Sequence, residues 1–222
     1  MGHRSDALDS FLDATAPEPT PLQREMAETA VELSFPIVGP EAGGVLALLA
    51  RLTDARRVFE FGSGFGYSAT WFLRGGAEEV VCTEFDADEV ELGREFVADA
   101  GLEGRIDFEY GDAMETIERY DGPFDVVLVD HQKHRYADAF DAVKPKLADS
   151  AVVVADNVIR GPVDFDGLSA HFADGEPLPS PDDDEGTWGI GTYLERVFGD
   201  DDAETVVLPV GSGLAVSHVT AR

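Results

Sequence analysis

Near the first quarter of the chain the sequence reads Phe59-Glu60-Phe61-Gly62-Ser63-Gly64-Phe65-Gly66-Tyr67-Ser68-Ala69. The apolar run RRVFEF reads as a short buried strand, the glycines as a tight turn and SATWFLRG as the helix that follows. Glycine lets backbone approach a ligand closely, and a helix N-terminus offers unpaired N–H groups to an anion. A dinucleotide fingerprint needs a third glycine three residues after Gly64, where Tyr67 stands, so a nicotinamide oxidoreductase fits poorly. Glu60, two residues before the G-x-G-x-G run, favours a ligand that carries an ammonium as well as a carboxylate.

Outward from this loop the alternation repeats. EEVVCTEFD, RIDFEYGD, FDVVLVD and SAVVVADN are further short apolar strands, separated by helical segments in ADEVELGREFVADAG, AMETIERY and YADAFDAVKPKLA. That spacing predicts an α/β fold with a doubly wound, mostly parallel sheet covered by helices. Upstream, a helix-like piece in DALDSFLDATA is broken by PEPTP, so residues 1–20 read as a flexible arm; helices follow in LQREMAETAVEL and GVLALLARL. Downstream, residues 159–187 are rich in Gly, Pro and Asp and read as an acidic insertion or lid before a helix in TWGIGTYLERVFG. ETVVLPV and GLAVSHVTA, joined by a GSG turn, predict an antiparallel hairpin at one sheet edge and bring the strands to seven. The 222 residues are expected to form a single domain.

Composition excludes several functions. With 45 Asp and Glu against 16 Lys and Arg, the net charge of −29 would repel nucleic acid. The acids are spread along the chain, which suits a salt-adapted protein whose self-repulsion is screened over about 3 Å at 1 M salt. No apolar run is long enough to span a bilayer and MGHRSDALDS lacks a signal-peptide core, so a cytoplasmic protein without a membrane partner is expected. Cys82 is the only cysteine and reads as a buried, inert thiol.

The C-terminal ends of parallel strands are where doubly wound sheets carry function. Glu84 ends the second strand, where such folds set a carboxylate against ribose hydroxyls; Asp86 competes for that role but suits a cap for the helix from Ala87. Asp130 ends the fourth strand and Asp156 with Asn157 ends the fifth. Two carboxylates and an amide oxygen form a hard-cation site suited to Mg²⁺. Each alone is also a common cap or turn residue.

Together these motifs resemble the cation-dependent, S-adenosylmethionine-dependent O-methyltransferases, the group of the catechol and caffeoyl-CoA enzymes. EFGSGFGYSA is similar to that family's first motif, Gly111-Asp112-Ala113 to its adenine-side loop, DHQKHRY at Asp130–Tyr136 to its D-H-x-K-x-R-Y, and Ala155–Val158 to its second metal motif; LPVGSGLAV resembles its closing hairpin. The resemblance implies a Rossmann-like class I methyltransferase fold. It implies that Asp130, Asp156 and Asn157 hold the metal, with Asp130 also beside the cofactor, and that Lys133 is the general base. Glu60, Gly62, Gly66 and Ser68 would take the methionine end of S-adenosylmethionine, Glu84 its ribose, Ala113 and His131 its adenine, and Val38 would close over it. Gln132 stands where the catechol enzymes carry Trp, and nothing in residues 159–187 matches an acceptor-gripping loop.

The expected function is therefore methyl transfer to a hydroxyl of a small catechol-like or other metal-chelating acceptor, assisted by Mg²⁺ or by Mn²⁺ or Ca²⁺, with a homodimer as the candidate assembly. A nicotinamide oxidoreductase and a non-catalytic cofactor-binding protein of the same fold are the alternatives. His134 and Arg135 are expected to face solvent or acids.

Overall fold

The computed structural model describes residues 6–220. The element order is α1 (Asp6–Thr15), α2 (Pro21–Leu33), α3 (Pro40–Leu52), β1 (Arg57–Phe61), α4 (Tyr67–Gly75), β2 (Glu79–Glu84), α5 (Ala87–Asp99), β3 (Ile106–Tyr110), α6 (Ala113–Ile117), β4 (Phe124–Val129), α7 (Tyr136–Val143), β5 (Leu147–Ala155), α8 (Phe165–Ser169), α9 (Glu185–Phe198), β6 (Ala203–Leu208) and β7 (Leu214–Thr220). The seven strands form one sheet in the order β3-β2-β1-β4-β5-β7-β6. β1 to β5 are parallel, and β7 runs antiparallel between β5 and β6. This is the Rossmann-like class I methyltransferase arrangement, with the expected hairpin at one edge.

β1, β2, β4 and the C-terminal half of β5 are buried on both faces, as their apolar runs require, whereas the edge strand β3 alternates, with Asp107 and Tyr110 exposed. Val58, Val80, Val126 and Val154 face a core with Trp71, Phe72 and Leu46, on the side of α2 to α5. Phe59, Phe61, Val127 and Val153 face the other, with Tyr136, Phe140 and Tyr193. Each fully buried ring contributes about 2–3 kcal/mol of apolar burial, so the strand ends are held by dense packing on both sides.

Boundaries differ from expectation where local chemistry intervenes. α2 starts at Pro21 because Thr20 and Gln23 form a reciprocal capping box, Thr20 Oγ1 accepting from Gln23 N at 3.2 Å and Gln23 Oε1 from Thr20 N at 2.9 Å. α3 starts at Pro40 rather than Gly44, since proline suits the first helical position. Pro145 stops α7 early: Lys144–Lys146 is a 3₁₀ turn and β5 begins at Leu147. Within residues 159–187 lie α8, capped by Asp164, and a π-helical turn, Ala170–Asp174, closed by left-handed Gly175. The segment before α2 is bonded to the body: Arg74 Nη1 donates to Glu18 O at 2.8 Å and Pro17 packs on Gly44.

Candidate active site

Strand order reverses between β1 and β4, and loops leaving their C-terminal ends diverge there to open a crevice. A cleft of about 750 Å³ lies at this point. Val38, Gly62, Ser68, Glu84, Asp130, His131, Lys133, Asp156 and Asn157 all line it. A smaller cavity of about 240 Å³ shares Gly62, Glu84 and His131 with it and is closed by Tyr110, Gly111 and Ala113. The expected site residues are thus gathered from six separate segments around the two cavities, with two exceptions: Glu60 and Gly66 lie behind the cleft wall rather than on it.

Two glycines of the loop are dictated by close approach. At Gly62, φ is +79° and a Cβ would stand 2.8 Å from Asp130 O and 2.9 Å from His131 Cα, so only glycine lets the β1 and β4 loops meet. Gly66, with φ +85°, caps α4 and has no room for a Cβ against the Phe108 ring. Glu60 is 1% exposed. Ser68 Oγ donates to its Oε1, and burial pushes the carboxyl up to about 8, with the charge of Asp130 adding to the effect. Glu84 is bonded more fully: Oε2 accepts from Gly64 N at 2.9 Å, and Oε1 from Phe85 N at 2.7 Å and Asp86 N at 3.0 Å. Its position between the two cavities places a carboxylate at their junction. Asp86 caps α5 through Asp88 N and Glu89 N.

The turn after β4 carries the reactive groups. Lys133 Nζ donates to Asp130 Oδ1 at 2.9 Å, to the Tyr136 hydroxyl at 2.6 Å and to His131 O at 3.2 Å, which uses all three ammonium protons. Tyr136 is fully buried and its hydroxyl lies 3.3 Å from Asp130 Oδ1 and 3.2 Å from Asp156 O. Burial, followed by the charges of Asp130 and Asp156, holds its phenol far above the ordinary range, so it stays protonated. His131 stacks on Tyr136 with centroids 5.5 Å apart and planes 6° apart. Burial, helped by Arg135 and Lys133, pushes its imidazole down to about 3, and neither ring nitrogen has a partner. Both nitrogens are buried, while the residue as a whole lines both cavities. Arg135 pairs with Asp112 at 2.8 Å and His134 Nδ1 lies 3.1 Å from Glu185 Oε2, so both face acids as expected.

Asp130 and Asp156 are two acids sharing one low-dielectric corner. Burial pushes Asp130 up despite the charge of Lys133; burial and then Asp130 push Asp156 up to about 7. Asp156 Oδ1 accepts from Asn157 N at 2.6 Å, while Oδ2 takes no hydrogen bond from the described residues. Asn157 has φ +62°, a left-handed conformation asparagine tolerates, and lines the cleft. Among the described residues no three His, Cys, Asp or Glu side chains gather to hold a metal, so the expected set relies on the Asn157 amide for its third oxygen. An all-oxygen donor set in which Asp156 keeps an oxygen without a hydrogen bond and is repelled by Asp130 fits a hard divalent cation.

A profile of the O-methyltransferase family matches residues 14–218. This chain belongs to the O-methyltransferase family. It is 34% identical over 159 residues to a catechol O-methyltransferase of Mycobacterium tuberculosis, spanning 69% of this chain and 72% of that one. It is 26% identical over 194 residues to a caffeoyl-CoA O-methyltransferase of Stellaria longipes, spanning 82% and 76%. The O-methyltransferase TomG from Streptomyces achromogenes, solved in complex with SAM, superposes with a TM-score of 0.80 at 26% identity over 97% of this chain and 96% of its own. Membership of this family displaces the nicotinamide oxidoreductase alternative.

Two residues of this O-methyltransferase site escaped the sequence reading. Tyr136 was visible only as the last letter of a motif, yet it is a bonded partner of Lys133. Gly189 lies inside α9, where the Lys133 carbonyl and the His134 backbone occupy the place of a Cβ. A glycine inside a helix costs about 1 kcal/mol relative to alanine; its presence in TWGIGTYLERVFG was the available signal of a close backbone approach.

Proposed function

We propose that this chain transfers the methyl group of S-adenosylmethionine to one hydroxyl of a small, vicinally dihydroxylated, metal-chelating acceptor. The observation that carries the reading is the convergence, in one cleft, of a lysine anchored on a strand-end carboxylate with the glycine loop and Glu84. S-adenosylmethionine would supply an electrophilic methyl on a sulfonium. Its ribose would meet Glu84, its adenine the side chain of His131 beside Ala113, and its methionine end Ser68 with Glu60 behind it. Asp130, Asp156 and Asn157 would hold a divalent cation, Mg²⁺ or Mn²⁺ or Ca²⁺, which when bound lowers the pKa of hydroxyls beside it.

Lys133 then acts on the acceptor. Nζ, once it has given up one of its three ammonium protons to solvent, takes the proton of the acceptor hydroxyl; the oxygen forms a bond to the methyl carbon as the carbon–sulfur bond breaks, its electron pair staying on sulfur. The products are a methyl ether and S-adenosylhomocysteine. Tyr136, locked as a phenol, holds Nζ in place, and α9 packed against the Lys133 backbone keeps the turn from shifting. Residues 159–187 contribute Gly161, Pro162, Glu185 and Gly186 to the cleft lining, and on this reading they would face the acceptor. Among the described residues no helix is long and apolar enough to cross a membrane.

Two measurements test this. S-adenosylhomocysteine should raise the melting temperature by linkage to the folded state; no shift at any salt concentration refutes the cofactor. Catechol should be methylated in high KCl with Mg²⁺ present. Binding of S-adenosylhomocysteine with no turnover of any diol would instead support a non-catalytic cofactor-binding protein.

A further inference from the structure

We propose that Glu185 is a specificity-determining residue that receives an ammonium group carried by the acceptor on the side away from its hydroxyls; this rests on the acceptor class proposed above. Among the described residues the cleft lining carries Glu84, Glu89, Asp130, Asp156 and Glu185, with Lys133 as its one Lys or Arg. The Lys133 ammonium is spent on Asp130, Tyr136 and the His131 carbonyl. A carboxylate entering the cleft therefore meets repulsion and no open cation, whereas a cation moves down the potential. Four of the acids have other work. Glu84 is filled by three backbone N–H groups, Glu89 stands on α5 beside Glu84 and Asp86, and Asp130 and Asp156 belong to the proposed cation site. Glu185 is the lining acid left for the acceptor.

Packing sets Glu185 into the ring of residues around Lys133 and Asn157. Gly189, one turn further along α9, has the Lys133 carbonyl and the His134 backbone where a Cβ would stand, so the start of α9 lies against the turn after β4. Gly186 abuts the Pro162 carbonyl in the same way, and a Cβ on Gly161 would lie 3.5 Å from Asn157 Cβ. Asn157, Gly161, Pro162, Gly186, Glu185 and Lys133 thus follow one another around one end of the cleft, and all of them line it. An acceptor whose hydroxyls lie at Asp130 and Asp156 has Glu185 on the surrounding wall.

The carboxylate is held in position and left open. Asp184 Oδ1 accepts from Thr187 N at 2.9 Å, and Thr187 Oγ1 donates to Asp184 Oδ2 at 2.7 Å while accepting from Asp164 N at 2.6 Å, which fixes the first turn of α9. The Glu185 side chain is 63% exposed. His134 Nδ1 stands 3.1 Å from its Oε2 but makes no hydrogen bond, so the carboxylate keeps its acceptor capacity among the described residues. An ammonium group brings three donors and the opposite charge, and a hydrogen bond between two ionised groups is stronger than a neutral one.

The test is steady-state kinetics at saturating S-adenosylmethionine and Mg²⁺ with catechol, 3,4-dihydroxybenzylamine and 3,4-dihydroxybenzoate, for wild type, Glu185→Gln and Glu185→Asp, at about pH 7.5 where an alkylamine is protonated. The wild type should prefer the amine to the benzoate. An exposed ion pair is worth up to about fivefold and a partly desolvated, charge-assisted one more, so the ratio of kcat/KM for the amine to that for catechol should fall about 3- to 20-fold in Glu185→Gln. Glu185→Asp should retain part of the ratio, and the benzoate ratio should hold or rise in Glu185→Gln. A wild type that favours the benzoate overturns the proposal. So does an equal loss on all three acceptors in Glu185→Gln, which would leave Glu185 serving only the first turn of α9. Failure of the wild type to methylate any of the three is a different result: it overturns the acceptor class itself, and this inference with it.

Discussion

Glu84 and Asp156 are both strand-ending acids, 6% and 4% exposed, yet they are bonded in opposite ways. Three backbone N–H groups converge on the Glu84 carboxylate from the glycine loop and the start of α5. Asp156 receives one, from its own neighbour, and faces another acid. The first corner is complete without a ligand, so its carboxylate serves folding and recognition together. The second is left short of positive charge, and burial has already been spent against it. A buried acid bonded like Glu84 says little about function by itself, whereas one bonded like Asp156 keeps a charge that its neighbours do not balance, which fits the proposed cation site.

The largest effect should come from removing what Asp156 lacks. EDTA should abolish turnover and Mg²⁺ or Mn²⁺ restore it. Asp156→Ala should cost more than about 10³-fold in kcat/KM, comparable to losing a central electrostatic group, while the melting temperature measured without metal at pH 8 holds or rises. A large loss of stability would show that Asp156 is bonded like Glu84 after all, and full activity after complete chelation would remove the metal.

Next in size is Lys133→Met, expected to lower kcat about 10²- to 10⁴-fold, the usual worth of positioned acid–base catalysis, with S-adenosylhomocysteine affinity nearly intact. Near-wild-type kcat at saturating Mg²⁺ would take Lys133 out of the chemistry. Glu84→Ala should show the converse pattern. It strands three N–H groups and should cost about 2–4 kcal/mol of stability, read as a drop of roughly 5–15 °C in Tm for a chain of this length. A Tm within a degree or two of wild type would erase the contrast between the two corners.

The smallest effect is a pH dependence of the metal's stabilisation. The folded Asp156 carboxyl titrates near 7, above its ordinary value of 3.8. Its contribution therefore favours the fold fully below about pH 4 and is lost as pH rises through about 7. A divalent cation needs the ionised form and reverses that loss. The Tm gain from saturating Mg²⁺ should thus be a few degrees larger at pH 8 than at pH 5.5, as read by thermal melting across that range. A gain that is flat or shrinks with pH would contradict the pairing of Asp156 with a cation.

What the residues determined on their own is the part written in short-range pattern. Apolar strands of five or six residues, a glycine loop, acids at strand ends and a GSG turn required a parallel sheet with an antiparallel edge, because periodicity and turn chemistry act over a few neighbours. DHQKHRY was legible as a reactive turn for the same reason: Asp130, Lys133 and Tyr136 lie three residues apart and share one side of it. Only the tertiary structure decided that Glu60 and Gly66 stand behind the cleft wall, that α9 presses on the Lys133 backbone through Gly189, and that both nitrogens of His131 find no partner among the described residues. Each of these depends on contacts between segments far apart in the chain or on the sum of all pairings around a group. Burial and bonding are properties of that whole packing, and one residue's neighbours in sequence do not contain them.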